Sequence, residues 1–221
     1  MMWIKICGIR DVETASRVAE LGVDAIGLNF YHASPRVVSV DVAMRISKTL
    51  PAAVARVGVF VNHSISDVEA IASNCQLDMV QLHGDETSSY LIELRHRLPQ
   101  VRLIRAWRMR QEGLSDLKHY LEECQTSNCS IAGCLVDAHV AGTYGGSGAR
   151  VPWEQLSVEY DRAEWPPLIL AGGLTAMNIG EAISATKPWG VDVASGVESS
   201  PGVKDIELVR QFVSNAKGKS V

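Results

Sequence analysis

The sequence predicts a single-domain (β/α)8 barrel of the α/β class, the architecture known as the TIM barrel. Short apolar runs rich in β-branched residues alternate with amphipathic stretches along all 221 residues. Strands that alternate with helices form a parallel sheet through right-handed crossovers, and a set of about eight closes into a barrel. No linker or low-complexity segment divides the chain, so residues 1–221 are expected to form one domain.

The predicted elements follow one another in regular order. The strands are expected at residues 3–7, 25–30, 55–61, 79–82, 101–107, 133–136, 168–171 and 191–194. Helices, several of which open on Ser, Thr or Asp at the N-cap, are expected at 11–21, 41–50, 66–75, 87–98, 115–124, 175–185 and 204–216. The sixth unit is irregular, because residues 138–152 are rich in glycine and the helix that follows is short.

The composition of the chain indicates which classes of binding partner and which location to expect. The net charge of −4 provides no general attraction for nucleic acid or an anionic membrane, so neither is expected as a partner. No apolar stretch approaches the ~20 residues of a membrane span, and the N-terminus runs directly into a strand that contains Lys5. A cytoplasmic protein is expected. The five cysteines include no CxxC pair, which favours free thiols.

Two apolar runs near the C-terminus stop on small turns. Residues 167–171 lead into Gly172-Gly173, and residues 190–194 lead into Ser195-Gly196. A strand that ends in glycine lets backbone N–H groups converge on an anion with no Cβ in the way. In a barrel of this class the last two strands often carry a phosphate site, which predicts a small phosphorylated ligand. The alternative interpretation is that these glycines only form ordinary turns after the strands.

Strand parity places several reactive side chains at the carboxyl ends of the strands, where such barrels have their active sites. Ile4 and Ile6 suit the helix-facing layer, which leaves Lys5 and Cys7 on the inside. Strand six ends at Asp137, and strand four carries Gln81 and His83 on one side. A thiol and a carboxylate across a barrel mouth form a base and acid pair, and Lys5 is expected to lower the pKa of Cys7.

Each of these residues also has a purely structural interpretation. Cys7 alone is most often a small buried apolar residue, and Asp137 alone is often a cap. His83 is either an interior histidine or a metal ligand together with Asp137 and His139. Arg36, after Ser34-Pro35 in the second βα loop, is either a solvated loop charge or a fork that binds a carboxylate in two places.

Taken together, the motifs resemble the phosphoribosylanthranilate isomerase family of tryptophan biosynthesis over nearly the whole chain. They occur in the order Lys5-Ile-Cys-Gly, Ser34-Pro-Arg, Gly58-Val-Phe-Val, Val80-Gln-Leu-His-Gly-Asp, Gly145-Gly-Ser-Gly, Leu170-Ala-Gly-Gly-Leu and Val191-Asp-Val-Ala-Ser-Gly-Val-Glu. The resemblance implies a (β/α)8 fold and an Amadori rearrangement of N-(5'-phosphoribosyl)anthranilate, with Cys7 as general base and Asp137 as general acid. It also implies that Arg36 holds the anthranilate carboxylate.

The resemblance further implies that the turns at Gly172, Gly173, Ser195 and Gly196 hold the phosphate. The remaining substrate-binding candidates are Lys5, Gln81, His83 and Asp192. The expected partner is a small phosphorylated substrate, with no cofactor and no metal, and the chain is either a monomer or a homodimer. Two positions depart from the family's usual pattern: Val151-Pro152-Trp153 stands where Phe-Asp-Trp is common, and Ser147 stands where Thr is frequent.

Two other functions are also compatible with the sequence. One is another phosphosugar isomerase or epimerase barrel, with a metal held by His83, Asp137 and His139. The other is a barrel that binds a phosphorylated ligand without catalysis. The second is disfavoured because Cys7 and Asp137 are both present where catalysis would need them.

Overall fold

The computed structural model describes residues 2–138 and 149–218, which form a closed barrel of eight parallel strands. The strands are hydrogen-bonded in sequence order, and the first pairs with the eighth to close the barrel. They are β1 (Trp3–Cys7), β2 (Ala25–Asn29), β3 (Ala55–Phe60), β4 (Met79–Leu82), β5 (Arg102–Met109), β6 (Gly133–Ala138), β7 (Leu168–Leu170) and β8 (Gly190–Val193). The predicted (β/α)8 fold is therefore confirmed.

Helices cover the outside of the barrel. Within the described ranges they are α1 (Val12–Glu20), α2 (Val40–Thr49), α3 (Ile65–Asn74), α4 (Ser88–Arg97), α5 (Ser115–Thr126), α6 (Trp153–Glu159), α7 (Ile179–Thr186) and α8 (Ile206–Ala216). Five of them begin after a residue whose side chain accepts a first-turn backbone N–H: Asp11, Ser39, Ser64, Thr87 and Asp205. These caps satisfy donors that have no partner within the helix.

The apolar residues form two layers that follow strand parity. Ile4 and Ile6 belong to the large cluster between strands and helices, whereas Lys5 between them is fully buried on the inner side. A smaller cluster fills the barrel interior and consists of Ala25, Val57, Met79, Ile104, Ala106, Leu135, Ile169 and Ala171. The interior is thus a packed core that supports the inward-facing side chains two residues further along the strands, at the mouth of the barrel.

The last unit contains a hairpin that the sequence analysis did not predict. After a short 3-10 helix at Ser195–Val197, β9 (Glu198–Ser200) and β10 (Val203–Lys204) form a two-stranded antiparallel sheet. Lys204 therefore lies in β10, and the prediction that it starts the final helix is wrong. That helix begins at Ile206, because the side chain of Asp205 caps it.

Other element boundaries differ at the loops. β5 continues to Met109, two residues beyond its predicted end. α7 begins at Ile179 and not at Thr175, because the Asn178 side chain accepts the Thr175 N–H and donates to the carbonyl of Gly173. The side-chain amide thus folds the preceding turn back on itself and delays the helix.

The described residues contain no helix long and apolar enough to cross a membrane. The cysteines predicted to be free thiols are free and buried: Cys7, Cys75, Cys124, Cys129 and Cys134. Only Cys7 among them lines the pocket at the barrel mouth that is described below.

We expect Leu135→Ala to lower the free energy of unfolding by about 2–5 kcal/mol, because it opens a cavity in the barrel interior. Val158→Ala, at a side chain that is 88% exposed, is the matched control and should change stability by less than about 0.5 kcal/mol. Denaturant unfolding of both variants measures the difference. Equal stability of the two variants would contradict the assignment of Leu135 to the packed interior.

Candidate active site

A pocket opens at the carboxyl ends of the strands, and we call it the mouth pocket. Its walls include residues from most of the eight strands and the loops that follow them. The predicted site residues that line it are Cys7, Arg36, Gln81, His83, Asp137, Gly172, Gly173, Asp192, Ser195 and Gly196. The structure therefore brings the predicted site together, with Lys5 as the exception.

Cys7 ends β1 and is seated against a glycine of the neighbouring strand. In the β1–β2 register it lies opposite Gly27. A Cβ at Gly27 would approach the Cys7 sulfur to 2.7 Å and the Cys7 Cα to 2.9 Å, closer than packed atoms tolerate. The missing side chain thus makes room for the thiol. The sequence signal for this role is a glycine inside a strand, which often marks a close approach.

Lys5 lies beneath the mouth pocket and not in its wall. It is fully buried, and its Nζ donates to Asp192 Oδ1 at 2.9 Å. Burial alone would lower the pKa of Lys5, but Asp192 and the Cys7 thiolate raise it, and the pKa ends above its ordinary value. In this structure Lys5 is a buried cation below Cys7 and Asp192, and its direct contact with a substrate stays a prediction.

The pKa of Cys7 moves in the direction opposite to the sequence-based expectation. Burial raises the pKa of the thiol above its ordinary value, and the opposing effects of Lys5 and Lys204 do not offset it. The carboxylate of Asp192 adds to the increase. Burial was not visible in the sequence, which showed only the neighbouring cation. The thiolate is consequently a minor but strongly basic species at neutral pH.

Asp137 is paired with His83 across the mouth pocket. Asp137 Oδ2 lies 3.5 Å from His83 Nε2, and Asp137 Oδ1 accepts the N–H of Ala138 at 2.8 Å. Gln81 Nε2 contacts His83 Nδ1 at 2.9 Å. An amide nitrogen can only donate, so in this arrangement His83 Nδ1 accepts and Nε2 carries the proton that faces Asp137.

Arg36 is held by a carboxylate that the sequence analysis did not assign to the site. Its Nε and Nη2 donate to Glu198 Oε1 and Oε2 at 2.9 and 2.8 Å. Glu198 Oε1 also accepts from Lys204 Nζ at 2.7 Å. Burial would raise the pKa of Glu198, but the hydrogen bonds from Arg36 and Lys204 lower it below its ordinary value. The sequence feature that could have indicated this residue is its position, two residues after the Ser195-Gly196 turn.

The two glycine-bearing turns pack directly against each other. Gly172 and Gly173 have φ of +82° and +62°, which side chains rarely tolerate. A Cβ at Gly196 would run into the backbone carbonyl of Leu174. The glycines are therefore required first for backbone conformation and for contact between the turns, whereas the sequence analysis attributed them to the approach of an anion.

The metal-site alternative draws no support from the described part of the chain, where no group of three His, Cys, Asp or Glu side chains lies close enough to hold an ion. His139, the third ligand of that alternative, lies outside the described residues, as do Tyr144 and Ser147 and the motif Gly145-Gly-Ser-Gly.

Comparison with known proteins identifies the family. The family model for N-(5'-phosphoribosyl)anthranilate (PRA) isomerase matches residues 4–215. The chain belongs to the PRA isomerase family. A PRA isomerase of Trichlorobacter lovleyi is 41% identical over 217 residues, which cover 98% of each chain.

Solved structures agree with this family and with its barrel fold. PRA isomerase from Thermotoga maritima superimposes with a TM-score of 0.84 at 37% identity, and the match covers 99% of this chain and 100% of that one. A PRA isomerase in complex with reduced 1-(o-carboxyphenylamino)-1-deoxyribulose 5-phosphate gives a TM-score of 0.81 at 37% identity, with the same coverage. The resemblance seen in the motifs is thus confirmed at the level of the family.

We expect Gly196→Ala to weaken inhibition by inorganic phosphate and to lower stability, because its Cβ separates the two turns. Gly180→Ala in α7 is the matched control, since a Cβ there meets nothing within 4 Å: it should leave phosphate inhibition nearly unchanged and should not lower stability, because Ala favours a helix over Gly. Steady-state inhibition and thermal unfolding measure the two effects. Unchanged phosphate inhibition in Gly196→Ala would mean that the packing of these turns does not shape an anion site.

Proposed function

We propose that this chain converts N-(5'-phosphoribosyl)anthranilate to 1-(2-carboxyphenylamino)-1-deoxyribulose 5-phosphate, the isomerisation step of tryptophan biosynthesis. The observation that carries the proposal is the presence of Cys7 and Asp137 in one pocket, in a chain of the PRA isomerase family. Arg36 and the glycine turns line the same pocket, so it offers a separate contact for each anionic end of the substrate.

In the first step Asp137 acts as the general acid. It protonates the furanose ring oxygen, the C1'–O bond breaks, and the electron pair goes to that oxygen while the amine nitrogen forms a protonated Schiff base at C1'. The N–H of Ala138 holds Asp137 Oδ1, which fixes the position of the carboxyl group at the mouth pocket, and Oδ2 lies 3.5 Å from His83 Nε2.

In the second step Cys7 acts as the general base. The Schiff base acidifies the C2' proton, the thiolate removes it, and the electron pair of the C–H bond forms the enolamine. Tautomerisation of the enolamine gives the aminoketose. A thiolate whose pKa is raised by burial is a stronger base than an ordinary cysteine, which suits the removal of a carbon-bound proton.

The two ends of the substrate bind at different sides of the mouth pocket. Arg36 binds the anthranilate carboxylate, and the apolar side chains of Val59 and Val61 form a wall that suits the aryl ring. The turns at Gly172-Gly173 and Ser195-Gly196 receive the phosphate. Gln81, His83 and Asp192 lie between them and contact the ribose. The reduced product analogue bound by the solved relative is the natural probe of this arrangement.

Turnover of freshly made substrate tests the function, and we expect Cys7→Ala and Asp137→Asn each to lower kcat by at least about 10²-fold. Cys75→Ala, a buried thiol outside the mouth pocket, is the matched control and should keep nearly full activity. The loss of substrate fluorescence reports turnover. Absence of turnover in the unmodified protein would overturn the proposed function, and an active Cys7→Ala variant would remove only Cys7 as the base.

The raised pKa of Cys7 predicts a specific pH dependence. Burial favours the neutral thiol, so the thiolate fraction should rise about tenfold per pH unit until the pH passes the Cys7 pKa, above the ordinary value near ~8.5. The difference in ultraviolet thiolate absorbance between the unmodified protein and Cys7→Ala measures the same titration. A thiolate that is already complete at neutral pH would contradict this prediction.

A further inference from the structure

Arg36 is fixed from two sides before any ligand reaches it. A Cβ at Gly8, which has φ of +83°, would lie 2.6 Å from Arg36 Cδ, so the aliphatic stem of Arg36 lies over a residue without a side chain. Beyond the stem, Glu198 takes the guanidinium in a bidentate pair. The side chains of Arg36 and Glu198 are only 10% and 4% exposed. An arginine so confined loses little further freedom when it binds.

The bidentate pair leaves one edge of the guanidinium available. Arg36 has five N–H donors, of which Glu198 takes one on Nε and one on Nη2. No acceptor among the described residues takes Nη1. One hydrogen on Nη1 and the second hydrogen on Nη2 therefore form a second fork at the end of the guanidinium, and Arg36 lines the mouth pocket. That fork matches the two oxygens of an incoming carboxylate.

Glu198 is itself anchored and cannot follow Arg36 freely. Lys204, whose side chain is 1% exposed, donates to Glu198 Oε1 and to the carbonyl of Ala194 at 2.9 Å. The turn of the β9–β10 hairpin also packs on the Arg36 loop, because a Cβ at Gly202 would lie 2.8 Å from the Pro35 carbonyl. Arg36, Lys204 and Glu198 together carry one surplus positive charge, which favours an anionic ligand over a neutral one.

We propose that Glu198 is a positioning residue for substrate recognition: it holds the Nε and Nη2 side of Arg36 so that the Nη1 and Nη2 edge faces the substrate carboxylate. This inference rests on the proposed function, in which Arg36 binds the substrate carboxylate. Glu198 acts through Arg36 and touches no reacting atom. It therefore determines selectivity for the substrate carboxylate.

The test compares two ligands on Glu198→Gln, which keeps the side-chain volume but turns an amide N–H towards the guanidinium. The probes are reduced 1-(o-carboxyphenylamino)-1-deoxyribulose 5-phosphate and its phenylamino counterpart without the carboxylate. We expect Kd to rise about tenfold for the first probe and to stay within about twofold for the second. The KM of turnover should rise in parallel.

Two further variants separate positioning from a general structural effect. Glu207→Gln, an exposed carboxylate on α8, is the matched control and should change neither Kd. In an Arg36→Met background Glu198→Gln should add no further loss for the carboxylate probe, because its effect passes through Arg36. If Glu198→Gln loses its helical circular dichroism, Glu198→Asp, which keeps the charge, takes its place in the same comparison.

Three results would overturn the inference. Equal loss of both probes would make Glu198 a general support of the pocket, and an unchanged Kd for both would remove it from recognition. Tighter binding of the carboxylate probe would show that Glu198 competes with the ligand for Arg36. Failure of the unmodified protein to turn over phosphoribosylanthranilate would instead overturn the proposed function, so the two failures are distinguishable.

Discussion

The buried ion pair between Lys5 and Asp192 is the interaction on which the site depends. The two residues lie opposite each other in the β1–β8 register, at the seam where the barrel closes. Removing either partner would leave an uncompensated buried charge, which costs about 3–5 kcal/mol. The same pair places a cation and an anion next to Cys7, so the closure of the fold and the electrostatics of the thiol are set by one contact.

The environment of Cys7 balances basicity against the amount of thiolate. Burial raises the pKa, while Lys5 and Lys204 keep a thiolate accessible by opposing that increase. A base with a high pKa removes a proton more effectively, but less of it is present at neutral pH. Two cations held by their own carboxylates, Asp192 and Glu198, moderate the charge around the thiol without filling the pocket.

The parts of the site that sequence predicts are those governed by strand parity and by local turns. Lys5 and Cys7 could be assigned to the inside because Ile4 and Ile6 suit the outer layer, and the glycine turns stood out next to apolar runs. The Arg36–Glu198 pair joins residues 162 positions apart, and no local pattern reports such a contact. The sequence also could not predict that the pKa of Cys7 is raised, because the burial that raises it depends on the packing of the whole barrel.

The β9–β10 hairpin is bonded to two different parts of the mouth pocket through Lys204. Lys204 bonds both to Glu198, on the side of Arg36, and to the carbonyl of Ala194, which precedes the Ser195-Gly196 turn. A single buried ammonium group therefore connects the side of Arg36 to the side of the Ser195-Gly196 turn. Because both bonds come from one nitrogen, neither side can move without straining the other. The hairpin thus fixes the separation between Arg36 and the Ser195-Gly196 turn, the two anion contacts of the proposed function, while its acid Asp137 and its base Cys7 lie on separate barrel strands, β6 and β1.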